Sequence, residues 1–287
     1  MTVIHDSDDE QAALWNGAAG YAWVAEQPLL DRMYAGIEAV LVDAVPAGFE
    51  GRVLDVGCGT GGTTLAVARR LGRGGRCIGI DISEPMTALA RSRAQRERAR
   101  AEFIRANAQD HAFEPASLDR ILSRFGVMFF GDPIAAFSNL RRAARHDAGL
   151  RLVVWRAAAE NPFMTTAERA AALLLPNLPP RRPGAPGQFA FADPERVRGV
   201  LGESGWTAID IRPIDVECVL PEPELVGYFT RLGPVGLALQ QADETTRTRV
   251  IEAVRPAFDA YVQQGEVRFT AACWLIDAHA GGYRNSS

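Results

Sequence analysis

Two carboxylates and a run of glycines are the residues of this chain best suited to chemistry. Asp55 sits in the apolar run Val53-Leu54-Asp55-Val56, and Gly57, Gly59, Gly61 and Gly62 follow at once. A short apolar run of this kind suits a central parallel strand. The glycines allow a tight turn and let a ligand approach the backbone with no Cβ in the way. Thr63 to Leu71 then has helical spacing, with Gly72 placed as its C-terminal stop, so that helix would aim free N–H groups over the turn. A second apolar run, Cys77-Ile78-Gly79-Ile80-Asp81, ends in another acid. It follows the glycines by about 20 residues, the offset of a carboxylate that holds ribose hydroxyls in dinucleotide folds.

Gly57, Gly59 and Gly62 satisfy the G-x-G-x-x-G pattern of NAD-binding folds, so an NAD(P)-dependent oxidoreductase is one reading. Asp55 counts against it, because a carboxylate just before the turn suits a cationic group better than a pyrophosphate. No tyrosine–lysine pair or other hydride-transfer constellation can be placed. An acid at each of two neighbouring strand tips favours a ligand with both a ribose and an ammonium group, and S-adenosylmethionine (SAM) has both.

The stretch Asp55-Val56-Gly57-Cys58-Gly59-Thr60-Gly61 resembles motif I of the class I SAM-dependent methyltransferases, and Gly79-Ile80-Asp81-Ile82-Ser83 resembles their second motif. The chain is most similar to the small-molecule group around the ubiquinone and menaquinone biosynthesis enzymes, over about residues 50–156. That resemblance implies an α/β, Rossmann-like, mostly parallel seven-stranded sheet with helices on both faces and a helical cap over the acceptor site. It implies methyl transfer from SAM, leaving S-adenosylhomocysteine, to an O, N or C nucleophile of a small organic molecule such as a specialised metabolite. A catalytically silent SAM- or metabolite-binding protein would keep the same glycines.

The resemblance also assigns roles. Gly57 and Gly59 shape the pocket, Asp55 helps at the methionyl end, and Asp81 with Ile82 forms the ribose edge. Met86 reaches an adenine edge, and Asn107, Ala108 and Gln109 frame the adenine, with Asn107 standing where an acid is usual. Arg124, at the end of a strand in Ser123-Arg124-Phe125-Gly126-Val127-Met128-Phe129-Phe130, can reach the methionyl carboxylate or the acceptor. Phe125, Met128, Trp23 and Trp155 are candidate acceptor contacts. Trp15 and Tyr21 belong to an aromatic segment that folds over the cofactor in the enzymes it resembles, where an aromatic face attracts a sulfonium. His111 is the candidate general base, being the one histidine in a loop expected at the cofactor edge.

The elements that must position these residues follow from pattern. Residues 1–48 form an arm with lid helices: 1–10 are polar and expected to fray, and Leu29 to Leu41 mark one amphipathic helix with Pro28 in its first turn. Residues 49–287 form the cofactor domain, with cap insertions at about 157–205 and 221–264. Ser83 and Asp132 are placed as helix N-caps. Glu102 to Ala106, Leu118 to Arg124 and Leu150 to Trp155 read as further strands. Residues 176–187 form a Pro/Gly loop long enough for a lid. Thr207 to Leu220 and Val267 to Leu275 alternate as two late strands, and Pro256 splits the helix that begins at Asp243.

Composition bounds the rest. The chain has 287 residues, 47% of them hydrophobic, and a formal charge of −4, which gives no electrostatic reason to expect nucleic acid. The four cysteines lack C-x-x-C spacing and read as reduced thiols of a cytoplasmic protein. No apolar run reaches the roughly 18 residues of a membrane span, the N-terminus lacks a signal-peptide core, and no metal-ligand spacing is present. A homo-oligomer is compatible with all of this.

Overall fold

The computed structural model describes residues 4–182 and 184–281. Its core is a sheet whose strands are β1 (Arg52–Val56), β2 (Arg76–Asp81), β3 (Ala101–Arg105), β4 (Leu118–Arg124), β5 (Ala144–Trp155), β6 (Thr207–Pro221), β7 (Val262–Gln263) and β8 (Glu266–His279). Their order is β3-β2-β1-β4-β5-β8-β6, with β7 paired to β8. The sheet thus has eight strands where seven were expected, the extra one being the two-residue β7 that extends the turn into β8. β1 to β5 pair in parallel, and β8 runs antiparallel to both β5 and β6. Val53 to Val56 are all buried, as a strand covered on both faces requires.

The chain leaves β1 for β2 on one side and returns to β4 on the other. The tips of β1 and β4 therefore flank the crevice where the strand order reverses, which is where ligands bind in open α/β sheets.

The helices are α1 (Ile4–Asn16), α2 (Ala18–Ala25), α3 (Gln27–Met33), α4 (Ala35–Val42), α5 (Gly62–Arg70), α6 (Glu84–Glu97), α7 (Pro133–Ala143), α8 (Pro162–Ala171), α9 (Pro194–Glu203), α10 (Leu225–Arg231), α11 (Gly233–Leu239) and α12 (Glu244–Val254). Ser83 and Asp132 accept from the Met86 and Ala135 N–H groups, as N-caps do. Residues expected to fray are helical from Ile4. The single helix expected over Leu29 to Leu41 is two, because the chain bends at Tyr34, where φ is −101°. After the bend α4 packs on β6 so closely that a Cβ on Gly36 would lie 2.8 Å from Val216 Cγ1. At Pro256 the chain leaves α12 and winds as a 3₁₀ helix from Arg255 to Tyr261. With α8, α10, α11 and α12 this segment forms the cap, centred on the buried rings of Phe163, Phe229 and Phe258.

Candidate cofactor and acceptor site

The turn after β1 is built from main-chain geometry. Gly57, Gly59 and Gly61 have φ of +68°, +53° and +87°, a region glycine enters without penalty. A Cβ on Gly57 would also lie 2.5 Å from the Gly126 Cα, so the tips of β1 and β4 touch glycine to glycine. Above Gly59 the space is open, the first atom across it being Met86 Sδ. Asp81 holds the turn, its Oδ2 accepting from Gly59 N–H at 2.8 Å and its Oδ1 from Ser83 N–H at 2.9 Å. Burial pushes the Asp81 carboxyl above its usual range, against the pull of these backbone N–H bonds.

The tip of β4 is strained. Phe125 has φ of +64°, which costs a side-chain-bearing residue about 1–2 kcal/mol. Three hydrogen bonds hold the loop: Phe125 N–H to Val153 O, Ser123 Oγ–H to Val56 O, and Gly126 N–H to Ser123 Oγ. The strained backbone lays the Phe125 ring flat on Trp155 at 4.6 Å, and Tyr34 meets both rings edge-on. The Arg124 guanidinium stands 5.7 Å from the Tyr34 ring, and its buried Nη1 has no hydrogen-bond partner among the described residues.

Over the turn lies a cavity of about 1340 Å³. Its floor includes Gly57, Gly59, Asp81, Ile82 and Met86, with Asn107 and Ala108 at one side and Arg124, Phe125, Met128 and Trp155 at another. The N-terminal arm roofs it with Trp15 and Trp23, whose rings meet edge-on at 6.0 Å. The arm is fastened to the turn after β2. Asn16 Nδ2 donates to Ile82 O, Asn16 Oδ1 accepts from Glu84 N–H, and Ser83 Oγ–H donates to Trp15 O. From there the cavity continues between the cap helices and the loop after α8.

Thirteen of the seventeen residues expected at the site line this one cavity, and four do not. Asp55 is buried beneath the turn, where its Oδ2 accepts from Thr64 Oγ1–H at 2.6 Å. Burial pushes its carboxyl up to about 6, although the Thr64 hydrogen bond pulls it down. Tyr21 is 64% exposed on the outer side of α2. Gln109 turns back into the fold, its Oε1 accepting from Asp132 N–H at 2.8 Å. His111 packs edge-on against Phe113 at 4.7 Å and borders a separate cavity of about 110 Å³ with Leu54 and Ile104. Asn107 does line the main cavity, but its side-chain oxygen accepts from Gln109 N–H. Sequence reading missed Asn16, Tyr34, Gly126, Phe163, Glu168 and Tyr228. The signals were slight: an asparagine among aromatics, a tyrosine inside an apolar helix, and aromatics in the cap that read equally as core.

Residues 53–147 match a family model described as a methyltransferase domain. That segment is thus a methyltransferase domain, and the chain is similar to the class I SAM-dependent methyltransferases. Among its relatives, the nocamycin O-methyltransferase of Saccharothrix syringae is 30% identical over 198 residues, which are 61% of this chain and 66% of that one. The demethylmenaquinone methyltransferase of Lactiplantibacillus plantarum is 34% identical over 103 residues, 35% of this chain and 43% of that one. The solved YcgJ protein of Bacillus subtilis shares the fold at a TM-score of 0.56 and 18% identity, over 85% of this chain and 98% of that chain. The solved phosphoethanolamine N-methyltransferase 2 of Haemonchus contortus, in complex with S-adenosyl-L-methionine, shares the fold at a TM-score of 0.54 and 17% identity, over 86% of this chain and 52% of that one.

Proposed function

We propose that the protein transfers the SAM methyl group to a small organic acceptor bound under the cap. One observation carries this reading: a single cavity runs from the glycine turn to the aromatic interior of the cap. The residues present fit SAM. Asp81, an acid at the cavity floor, suits the ribose hydroxyls, and Ile82 and Met86 supply apolar contact beside it. Asn107 and Ala108 frame the adenine side. Arg124 offers a buried N–H group with no partner among the described residues, which suits the methionyl carboxylate. Gly57 and Gly59 let the cofactor lie against the backbone, and Trp15 closes over it.

SAM supplies an activated methyl on a sulfonium. What remains for the protein is to align the acceptor and keep water out. Trp23, Phe125, Met128 and Trp155 do this from the arm and the strand tips. No histidine borders the cavity among the described residues, so His111 is not part of this proposal. The four cysteines are free and buried, which suits a reducing compartment such as the cytoplasm. No helix among the described residues is long and apolar enough to cross a membrane.

Calorimetric titration with SAM, S-adenosylhomocysteine and NAD tests the cofactor half. Micromolar binding of both adenosyl ligands with none of NAD is expected, and binding of NAD alone overturns the proposal. A mass gain of one methyl on some member of an acceptor panel then separates an enzyme from a silent binder.

A further inference from the structure

The cavity is larger than one ligand needs. Pockets for one drug-sized molecule span roughly 300–1,000 Å³, and this cavity holds about 1340 Å³. The part beyond the glycine turn is lined by Phe163, Phe229, Leu232, Val235 and Phe258. Phe163 lies flat against Phe269 at 3.8 Å and meets Phe258 edge-on. Flat rings prefer such faces and edges to aliphatic walls.

Two phenols interrupt this apolar lining. Tyr34 is 4% exposed and borders the cavity, yet its hydroxyl makes no hydrogen bond among the described residues. Tyr228 also borders the cavity, and its hydroxyl reaches only the Met164 thioether sulfur, at 3.8 Å. Sulfur of this kind is a weak acceptor. A buried tyrosine normally finds a real oxygen or nitrogen partner, so both donors stand ready for one. The charged groups around them are few. Tyr34 is faced by Tyr228, Cys218, Arg124 and Cys273, and Tyr228 by Cys218 and Glu168. Glu168 is itself paired with Arg181 at 2.5 Å, and Arg181 lies over the Phe189 ring. Burial raises the pKa of both phenols, so both remain protonated donors at neutral pH.

We infer that the acceptor is a hydroxylated multi-ring aromatic molecule, held by its phenolic oxygen between the Tyr34 and Tyr228 hydroxyls and methylated on that oxygen. This rests on the methyltransferase reading above. The acceptor enters as its phenolate, its proton already left in bulk water. Its oxygen lone pair forms the O–CH₃ bond as the S–CH₃ bond breaks. That bond's electron pair stays on sulfur, which becomes the neutral thioether of S-adenosylhomocysteine. Two donors facing one anionic oxygen take over what a general base would do, in a cavity whose described lining holds no histidine.

The dye alizarin, a dihydroxyanthraquinone that turns from yellow to red-violet when it ionises, tests this by absorbance. It is titrated into protein saturated with S-adenosylhomocysteine. The expected result is bound dye that turns red-violet about one pH unit below the free dye. Tyr34→Phe and Tyr228→Phe are each expected to weaken dye binding about tenfold while S-adenosylhomocysteine affinity stays within twofold. Dodecan-1-ol is expected not to displace the dye. Dye that stays yellow when bound, fails to bind, is displaced by dodecan-1-ol, or keeps its colour shift in the double variant overturns this inference alone. Failure of S-adenosylhomocysteine itself to bind overturns the methyltransferase reading instead.

Discussion

The two ends of the cavity are made in opposite ways. The cofactor end is main chain: glycines in left-handed conformations, one carboxylate holding two backbone N–H groups, and two strand tips in glycine-to-glycine contact. The acceptor end is side chain: rings from β5, α8, α10 and the 3₁₀ segment after α12, brought together over more than a hundred residues. Backbone geometry tolerates few substitutions, whereas a wall of rings can be rebuilt by exchanging one ring for another of similar volume. On the proposed function, one end is therefore held to one cofactor, and the other can be rebuilt for different acceptors.

The sharpest way to break this contrast is at Gly57. Gly57→Ala places a Cβ into the Gly126 backbone at a positive φ, so a loss of roughly 2–4 kcal/mol of stability is expected in urea unfolding. A loss under 0.5 kcal/mol would show that the two strand tips have slack.

Asp55 gives the next largest effect. Its carboxyl is raised to about 6 in the folded state, from an unfolded value near 4. The folded chain then holds a proton that the unfolded chain has given up, so stability falls as pH rises from about 4 to 6. At about 1.4 kcal/mol per pH unit this amounts to roughly 3 kcal/mol. Asp55→Asn keeps an acceptor for Thr64 and removes the titration. Relative to the parent, the variant is expected to gain stability across that window in pH-dependent urea unfolding. Parallel curves would place the titration elsewhere.

Asp81→Ala is expected to weaken SAM binding by about 1–3 kcal/mol, read by calorimetry, through loss of charge-assisted hydrogen bonds. Unchanged affinity in a folded variant removes Asp81 from the site. The smallest effect belongs to His111. Since it borders a separate cavity, His111→Ala is expected to leave SAM affinity and turnover within twofold. A hundredfold loss of turnover would restore it as the base.

The contrast also explains what sequence could show. Gly57, Gly59 and Asp81 were legible because turn geometry and strand ends are encoded locally, within some thirty residues. Asp55 was legible as an acid and misread in its direction: strand alternation sends it below the turn, where Thr64 one turn into α5 takes its oxygen. His111 was misplaced for a similar reason, since the loop after β3 bends it towards Phe113 and away from the crevice. The mostly parallel sheet with two late strands was recoverable from strand pattern and family likeness. Tyr34 and Tyr228 were not, because nothing in a sequence says that residues nearly two hundred positions apart share a wall.

The arm that roofs the cavity is fastened on two sides by different forces. Its bonds to the turn after β2, through Asn16 and Ser83, are between neutral groups. Its bonds to the cap are ionic: Glu26 with Arg231, and Arg32 with Glu224 at 2.8 Å, where Arg231 and Arg32 are exposed, Glu224 is half-buried and Glu26 is buried. Dissolved salt screens exposed charges and leaves neutral hydrogen bonds almost untouched. Rising ionic strength is therefore expected to weaken the Arg32–Glu224 tie to the cap before the neutral bonds beside the turn after β2. Salt then acts on the two edges of the roof unequally.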